Sequence, residues 1–266
     1  MLEGELLSGL YPAVLLALAG VILVTAAVQL RSRPSTAPAR TRWDRIVVAG
    51  SALAAIGWGT VLAGLLQGVP LAADGHAAGV GHVLTPFVAA GGLTLLALVT
   101  VHGAAFLALR LPAEPARRIA GLGRRLVPVA LVALGAATAL GLLSDRVRQT
   151  VQQPAAAVAL PVLLAGALLV ARVAFARRRP GLAFTATSLA LAVPVLLVGA
   201  TIWPYALVST VDPAASLAVG EAAASGPTLR LLSWLVVPLL PALLGFQLMC
   251  WRVFRGRLDA ETPVYW

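Results

Sequence analysis

No lysine occurs anywhere in this chain; all twenty of its cationic residues are arginine. Charged residues of both signs make up only 11% of the 266, where an ordinary soluble domain carries about 25%. That shortage, with 60% hydrophobic residues and a mean hydropathy of +0.93, excludes a conventional soluble fold. Cysteine occurs once, at Cys250, so an intramolecular disulfide is excluded and the redox compartment stays open. Three histidines and two methionines leave few soft ligands for a metal or a haem. The first residues, MLEGELLSGLYP, bear Glu3 and Glu5 and no positive charge. A signal peptide needs a basic leading region, so this start reads as a mature end.

What is abundant is apolar run length. A helix needs about 20 predominantly apolar residues to cross the hydrocarbon core. Seven stretches qualify: about 7–30, 46–70, 83–109, 126–143, 155–176, 181–207 and 231–254, the fourth being the shortest. Lipid offers no partner for backbone polar groups, so each span is expected to be helical. The expected fold is therefore all-α, a single polytopic bundle filling residues 1–266. Pro161, Pro194, Pro238 and Pro241 fall inside spans and are expected to kink them. Segment 209–228, STVDPAASLAVGEAAASGPT, reads as an ordered turn or a short surface helix.

The arginines alternate from loop to loop. Arg31, Arg33, Arg40, Arg42 and Arg45 follow the first span, and Arg110, Arg117, Arg118, Arg124 and Arg125 follow the third. Arg172, Arg177, Arg178 and Arg179 surround the fifth-to-sixth turn, and Arg252, Arg255 and Arg257 close the last span. Seventeen arginines thus lie on one side and three, Arg146, Arg148 and Arg230, on the other. The positive-inside rule makes the rich side cytoplasmic, with the N-terminus outside and the C-terminus inside. Read this way, the high isoelectric point reports topology and not a nucleic-acid partner.

Ionisable groups inside a membrane are costly and usually functional. Arg172 is the clearest case, and its long stem is expected to snorkel to the cytoplasmic interface, with a buried ion pair as the alternative. No Asp, Glu or Lys stands near a midplane, which weighs against an ion-coupled transporter. His102 is the only histidine inside a span and Met249 the only methionine, both towards the arginine-rich side. A His–Met haem pair is open on that count, but a packing histidine hydrogen-bonded to a neighbouring helix is the preferred reading. His76 and His82, with Asp74, form at best a weak metal signal in a glycine-rich loop. Ala133, Ala137 and Gly141, like Ser51, Ala55 and Gly59, recur every four residues and permit close helix approach. Trp58, near mid-span, is expected to pack against protein. Gln67 lies near the outer end of its span, and Trp203 and Tyr205 read as interfacial anchors.

Three stretches, GWGTVLAGLLQGVPL (57–71), TPFVAAGGLTLLALVTVHGAAFLALR (85–110) and IWPYALVSTVDPAASLAVGEAAASGPTLRLLSW (202–234), together with FQLMCWRVFRGRL (246–258), resemble subunit II of the cytochrome bd quinol oxidases. The residues that carry the resemblance, or that serve as structural candidates, are Trp58, Gln67, Pro86, Gly91, Gly92, His102, Gly103, Pro204, Asp212, Pro213 and Gln247. The resemblance implies an accessory subunit in a bacterial cytoplasmic membrane that stabilises a haem-bearing subunit I. That complex oxidises quinol and reduces oxygen to water. It also implies that haems b and d belong to the partner, that this chain is not catalytic alone, and that His102 is structural. A bound quinone is left open. The family typically has nine helices, and residues 7–30 resemble its third. Gly64 stands where the family often has asparagine, and Arg252 where it often has an aromatic residue. A divergent short form, a fragment with a misassigned start and one half of a split subunit all suit this pattern. The rival reading from another class is a small-molecule transporter or exporter.

Overall fold

The computed structural model describes residues 2–33, 36–70, 84–253 and 256. Its long helices are α1 (Leu2–Leu30), α2 (Ala37–Gln67), α3 (Pro86–Arg110) and α4 (Ala113–Leu143). A short α5 (Asp145–Thr150) leads into α6 (Pro154–Ala176) and α7 (Pro180–Ile202). Two strands, β1 (Tyr205–Leu207) and β2 (Leu217–Ala218), pair antiparallel around a 3-10 turn at Pro213–Ala215, followed by α8 (Val219–Ala222) and α9 (Gly226–Val253). Seven of these helices are long and apolar enough to cross a membrane. The chain is a multi-pass all-α membrane protein.

The helix boundaries follow local chemistry. Thr85 caps α3, its hydroxyl accepting from the Val88 amide, and Pro86 occupies the first turn, where a missing N–H costs nothing. Pro154 and Pro180 open α6 and α7 in the same way. The three-residue turn between those helices closes as a Schellman motif. Arg178 takes φ 54, its amide donates to the Phe175 carbonyl, and the Arg179 amide donates to that of Ala174. Pro180 then stops α6 from continuing.

Several span limits differ from those read off apolarity, α1 and α9 starting at Leu2 and Gly226 where 7 and 231 were expected. The fourth span, expected to be the shortest, lies in a 31-residue helix. Its first turns carry Glu114, Arg117 and Arg118, paired at one-turn spacing, and a helix can run on beyond the hydrocarbon. For the same reason α2 begins at Ala37, well before residue 46. The sixth span stops at Ile202, not 207, because the chain leaves helical geometry at Trp203–Pro204 and enters β1. Segment 209–228 holds both expected features, an ordered turn and a short surface helix.

The main core joins α3, α4, α6 and α7 as a four-helix bundle, with Leu98, Val101, Val127, Leu168 and Val193 all buried. Helix α2 packs on α3 and α7, and α1 packs on α2. A second apolar cluster, including Leu66, Phe87, Val88, Val147 and Ile202, closes the bundle at the end where α2 stops and α3 starts. Leu207 and Val69 join Leu10 and Ala13 of α1 in a third cluster at that same end. Helix α9 stands apart, with no buried residue along its length. Helix assignment runs unbroken through Pro161, Pro194, Pro238 and Pro241.

Candidate functional site

The motif residues gather at two ends of the molecule and at one helix crossing. At the end where α2 stops, Gln67 is 1% exposed. Its side-chain oxygen accepts from the Thr85 hydroxyl, which fastens it to the cap of α3. Its backbone carbonyl accepts from the buried Thr150 hydroxyl of α5 at 3.0 Å. One residue thereby ties together α2, α3 and α5. Gly68 follows with φ 84 and ψ 158, a region open essentially to glycine alone. A Cβ there would stand 2.7 Å from the Thr210 methyl and 3.0 Å from the Thr150 hydroxyl. This turn lets the Val69 amide donate to Val208 and the Val69 carbonyl accept from Thr210, joining 69 to the loop after β1.

That loop is ordered by its own side chains. Ser209 accepts from the Asp212 amide at 3.2 Å, and the Asp212 carboxylate accepts from the Ala214 amide at 2.9 Å. Pro213 opens the 3-10 turn. Asp212 is therefore a turn-forming residue, which is a common use of aspartate.

At the crossing of α2 and α3, backbones approach without intervening side chains. A Cβ on Gly59 would lie 2.8 Å from the Gly91 carbonyl oxygen, and one on Gly91 would lie 2.4 Å from the Ala63 Cβ. Gly92 would meet Thr60 at 2.9 Å. Gly91 and Gly92 are thus packing glycines of the small-residue kind. The α1–α2 contact uses another set: Gly57 against Ala17, and Gly20 against Ala54 and Gly50.

The arginine-rich end holds His102. Its Nδ1 lies 2.9 Å from the Thr187 hydroxyl of α7. That hydroxyl has one hydrogen, and the carbonyls of Ala183 and Phe184 lie 2.9 and 3.0 Å away. A Thr187 hydroxyl that donates to either carbonyl accepts from His102, which then carries its proton on Nδ1. The imidazole lies against Phe184, centroids 4.9 Å apart, and Phe184 against Trp251 of α9 at 5.5 Å. The Arg110 guanidinium sits 5.1 Å over Trp251 and 5.7 Å over Phe106, and it donates to the Gly256 carbonyl. These contacts fasten the end of α9 to the bundle, with cation–π attraction as part of the bond. Arg172 stands exposed on α6, not in a buried ion pair.

Glycines in close contact, a glutamine keystone before a positive-φ glycine, and an aromatic clasp on the last helix all fall on the motif stretches. The chain matches the profile described as cytochrome bd terminal oxidase subunit II over residues 2–254. It belongs to that family. A Bacillus subtilis relative, a cytochrome bd ubiquinol oxidase subunit 2, is 26% identical over 223 residues, which is 84% of this chain and 65% of that one. A cytochrome bd-I ubiquinol oxidase subunit 2 of Escherichia coli is 26% identical over 301 aligned positions, 98% of this chain and 77% of that one. A probable cytochrome oxidase subunit 2 of Haemophilus influenzae is 24% identical, covering 96% of this chain and 75% of its own. The chain thus spans less than two thirds of the Bacillus protein.

The other family-motif residues are not drawn into packed contacts within this chain. Trp58 is 47% exposed within this chain. The faces of α2 beside it are taken by α1 at Gly57 and by α3 at Gly59, which leaves the indole outside both seams. Gly103 has open space around its Cβ position. Pro204 and Gln247 are exposed, although the Pro204 carbonyl accepts from the Val219 amide. Met249 is exposed on α9. His76, His82 and Asp74 lie outside the described residues. Sequence reasoning missed Thr85, Thr150, Thr187 and Phe184. The Thr-Pro pair at 85–86 is a cap signature that could have flagged the first.

Proposed function

We propose that this chain is the accessory subunit of a bd-type quinol oxidase, embedded in a bacterial cytoplasmic membrane. It stabilises a haem-bearing subunit I, which carries haems b and d, while the complex oxidises quinol and reduces oxygen to water. The observation that carries the reading is the family match across residues 2–254. The packing supports it. Helix α9 has no fully buried residue and Trp58 is half exposed, so apolar helix surface is left for a partner as well as for lipid. In this reading His102 is a packing group: its Nδ1 is engaged by the Thr187 hydroxyl and its ring lies against Phe184.

A transporter would need polar groups converging near mid-membrane. A cavity of about 360 Å³ between α2 and α3–α7 is instead lined largely by apolar side chains. The test is co-expression with a haem-bearing subunit I, followed by affinity purification in mild detergent. The two chains should co-purify at about one to one, and quinol oxidase activity should depend on both. This chain alone should insert without a Soret band. Stoichiometric haem in the isolated chain, or no recovery of a subunit I, overturns the proposal.

A further inference from the structure

We infer that the cavity between α2, α5 and the four-helix bundle is a built-in site for one acyl chain of an anionic phospholipid. The inference rests on the seven-span reading and not on the identity of the partner. The cavity holds about 360 Å³, within the range of roughly 300–1,000 Å³ in which ligand sites fall. Its lining is apolar and includes the small residues Ala63, Ala137 and Ala157. An apolar void loses the contacts of its lining, and water finds too few polar partners in it. Within a bilayer the nearest filler is hydrocarbon.

Its depth selects the kind of hydrocarbon. Along α6 the lining runs from Pro154, the first helical residue, to Leu164 near the middle of that helix. Ten helical residues rise about 15 Å, which is half of a hydrocarbon core about 30 Å thick. The cavity therefore reaches from one membrane surface to the midplane, the length of one leaflet's acyl chain. Its sides at Leu142 and Val158 are exposed, so a chain can slip in sideways between α4 and α6.

The surface end supplies the headgroup chemistry. Arg148 of α5 lines the cavity there, its side chain 61% exposed and paired with Asp145. With Arg146 alongside, α5 carries one net positive charge. Guanidinium groups bind phosphate oxygens through paired, charge-assisted hydrogen bonds. An anionic phospholipid with its phosphate at Arg148 and one chain in the cavity satisfies both ends.

The experiment uses the purified oxidase complex in nanodiscs of dioleoylphosphatidylcholine and dioleoylphosphatidylglycerol. A trace of the glycerol lipid carries a diazirine near the end of one acyl chain, and adducts are mapped by mass spectrometry after illumination. Adducts should concentrate on Leu134, Ala137 and Leu164 and saturate near one per chain. Ala137→Phe should abolish them, while Gly135→Phe, whose Cβ position meets nothing within 4 Å, should leave them unchanged. Arg148→Gln should lower the preference for the anionic lipid about tenfold, the size of one charge-assisted hydrogen bond. Adducts scattered over exposed helix faces would overturn the site, as would adducts undiminished in Ala137→Phe or a tightly bound quinone filling the cavity. If Ala137→Phe does not assemble, the adduct map of the unaltered complex decides by itself.

Discussion

At the residue scale, the environment of His102 turns on a single hydrogen. With the Thr187 hydroxyl 2.9 Å from the Ala183 carbonyl, we predict that its hydrogen goes there and that the imidazole is the donor between them. Nitrogen NMR of histidine-labelled protein should show the Nδ1–H form, and a dominant Nε2–H signal for His102 would contradict the arrangement. His102→Gln retains a donor and should leave the haem spectrum of the assembled complex intact. His102→Leu leaves Thr187 short of a partner. Hydrogen bonds within membranes contribute roughly 0.6 to 2 kcal/mol, so the yield of complex should fall partially. Gly68 is a harder constraint. Gly68→Ala places a Cβ at φ 84 and within 2.7 Å of Thr210, a strain of about 1–3 kcal/mol before any clash. Its melting temperature should drop clearly below that of the parent complex, and an unchanged value would refute this account of the turn.

At the element scale, the helices divide into those that bury a seam and one that does not. Helices α1 and α2 meet through glycine and alanine backbones, and α2 and α3 do the same at Gly59 and Gly91. Helix α9 is held at its end by a clasp, Trp251 between Phe184 and Arg110. Trp251→Ala should therefore free α9 while leaving the four-helix core intact. Amide exchange measured on the isolated chain in detergent should rise in α9 and stay level in α3 and α7. An even rise across all helices would show that Trp251 supports the core and not the clasp. Desolvated cation–π contacts are worth about 2 kcal/mol or more, and exposed ones about 0.5–1. The effect should be local and moderate.

At the scale of the whole molecule, Arg110 reaching Gly256 places the ends of α3 and α9 side by side. The arginine clusters read from the sequence as one side are thus together at two of their four locations. The proposed orientation sets that end in the cytoplasm. With Cys250 replaced, single cysteines at Arg117 and Arg178 should resist an impermeant thiol reagent in intact cells. Cysteines at Asp145 and Ser225 should react. The reverse pattern would invert the topology.

The number of spans and the all-α class were legible in the residues because lipid forces every apolar run into helix. The family was legible in short motifs because Gln67, Gly68, Pro86, Gly91 and Gly92 each meet a demand that few residue types satisfy. Helix ends were less legible: apolarity marks where hydrocarbon lies, and α2 and α4 continue past it on charged turns. Lateral neighbours were hardest, since a membrane helix is apolar all round and its pattern does not show which face is buried. Of the stripe Ser51, Ala55 and Gly59, Gly59 meets α3 at Gly91, while α1 is met by a neighbouring set, Gly50, Ala54 and Gly57, that the spacing did not single out. Only the tertiary structure brought Thr187 to His102 across 85 residues and Thr150 to Gln67 across 83. Pairings of that kind are chosen by how helices pack, and packing is a property of the assembled bundle.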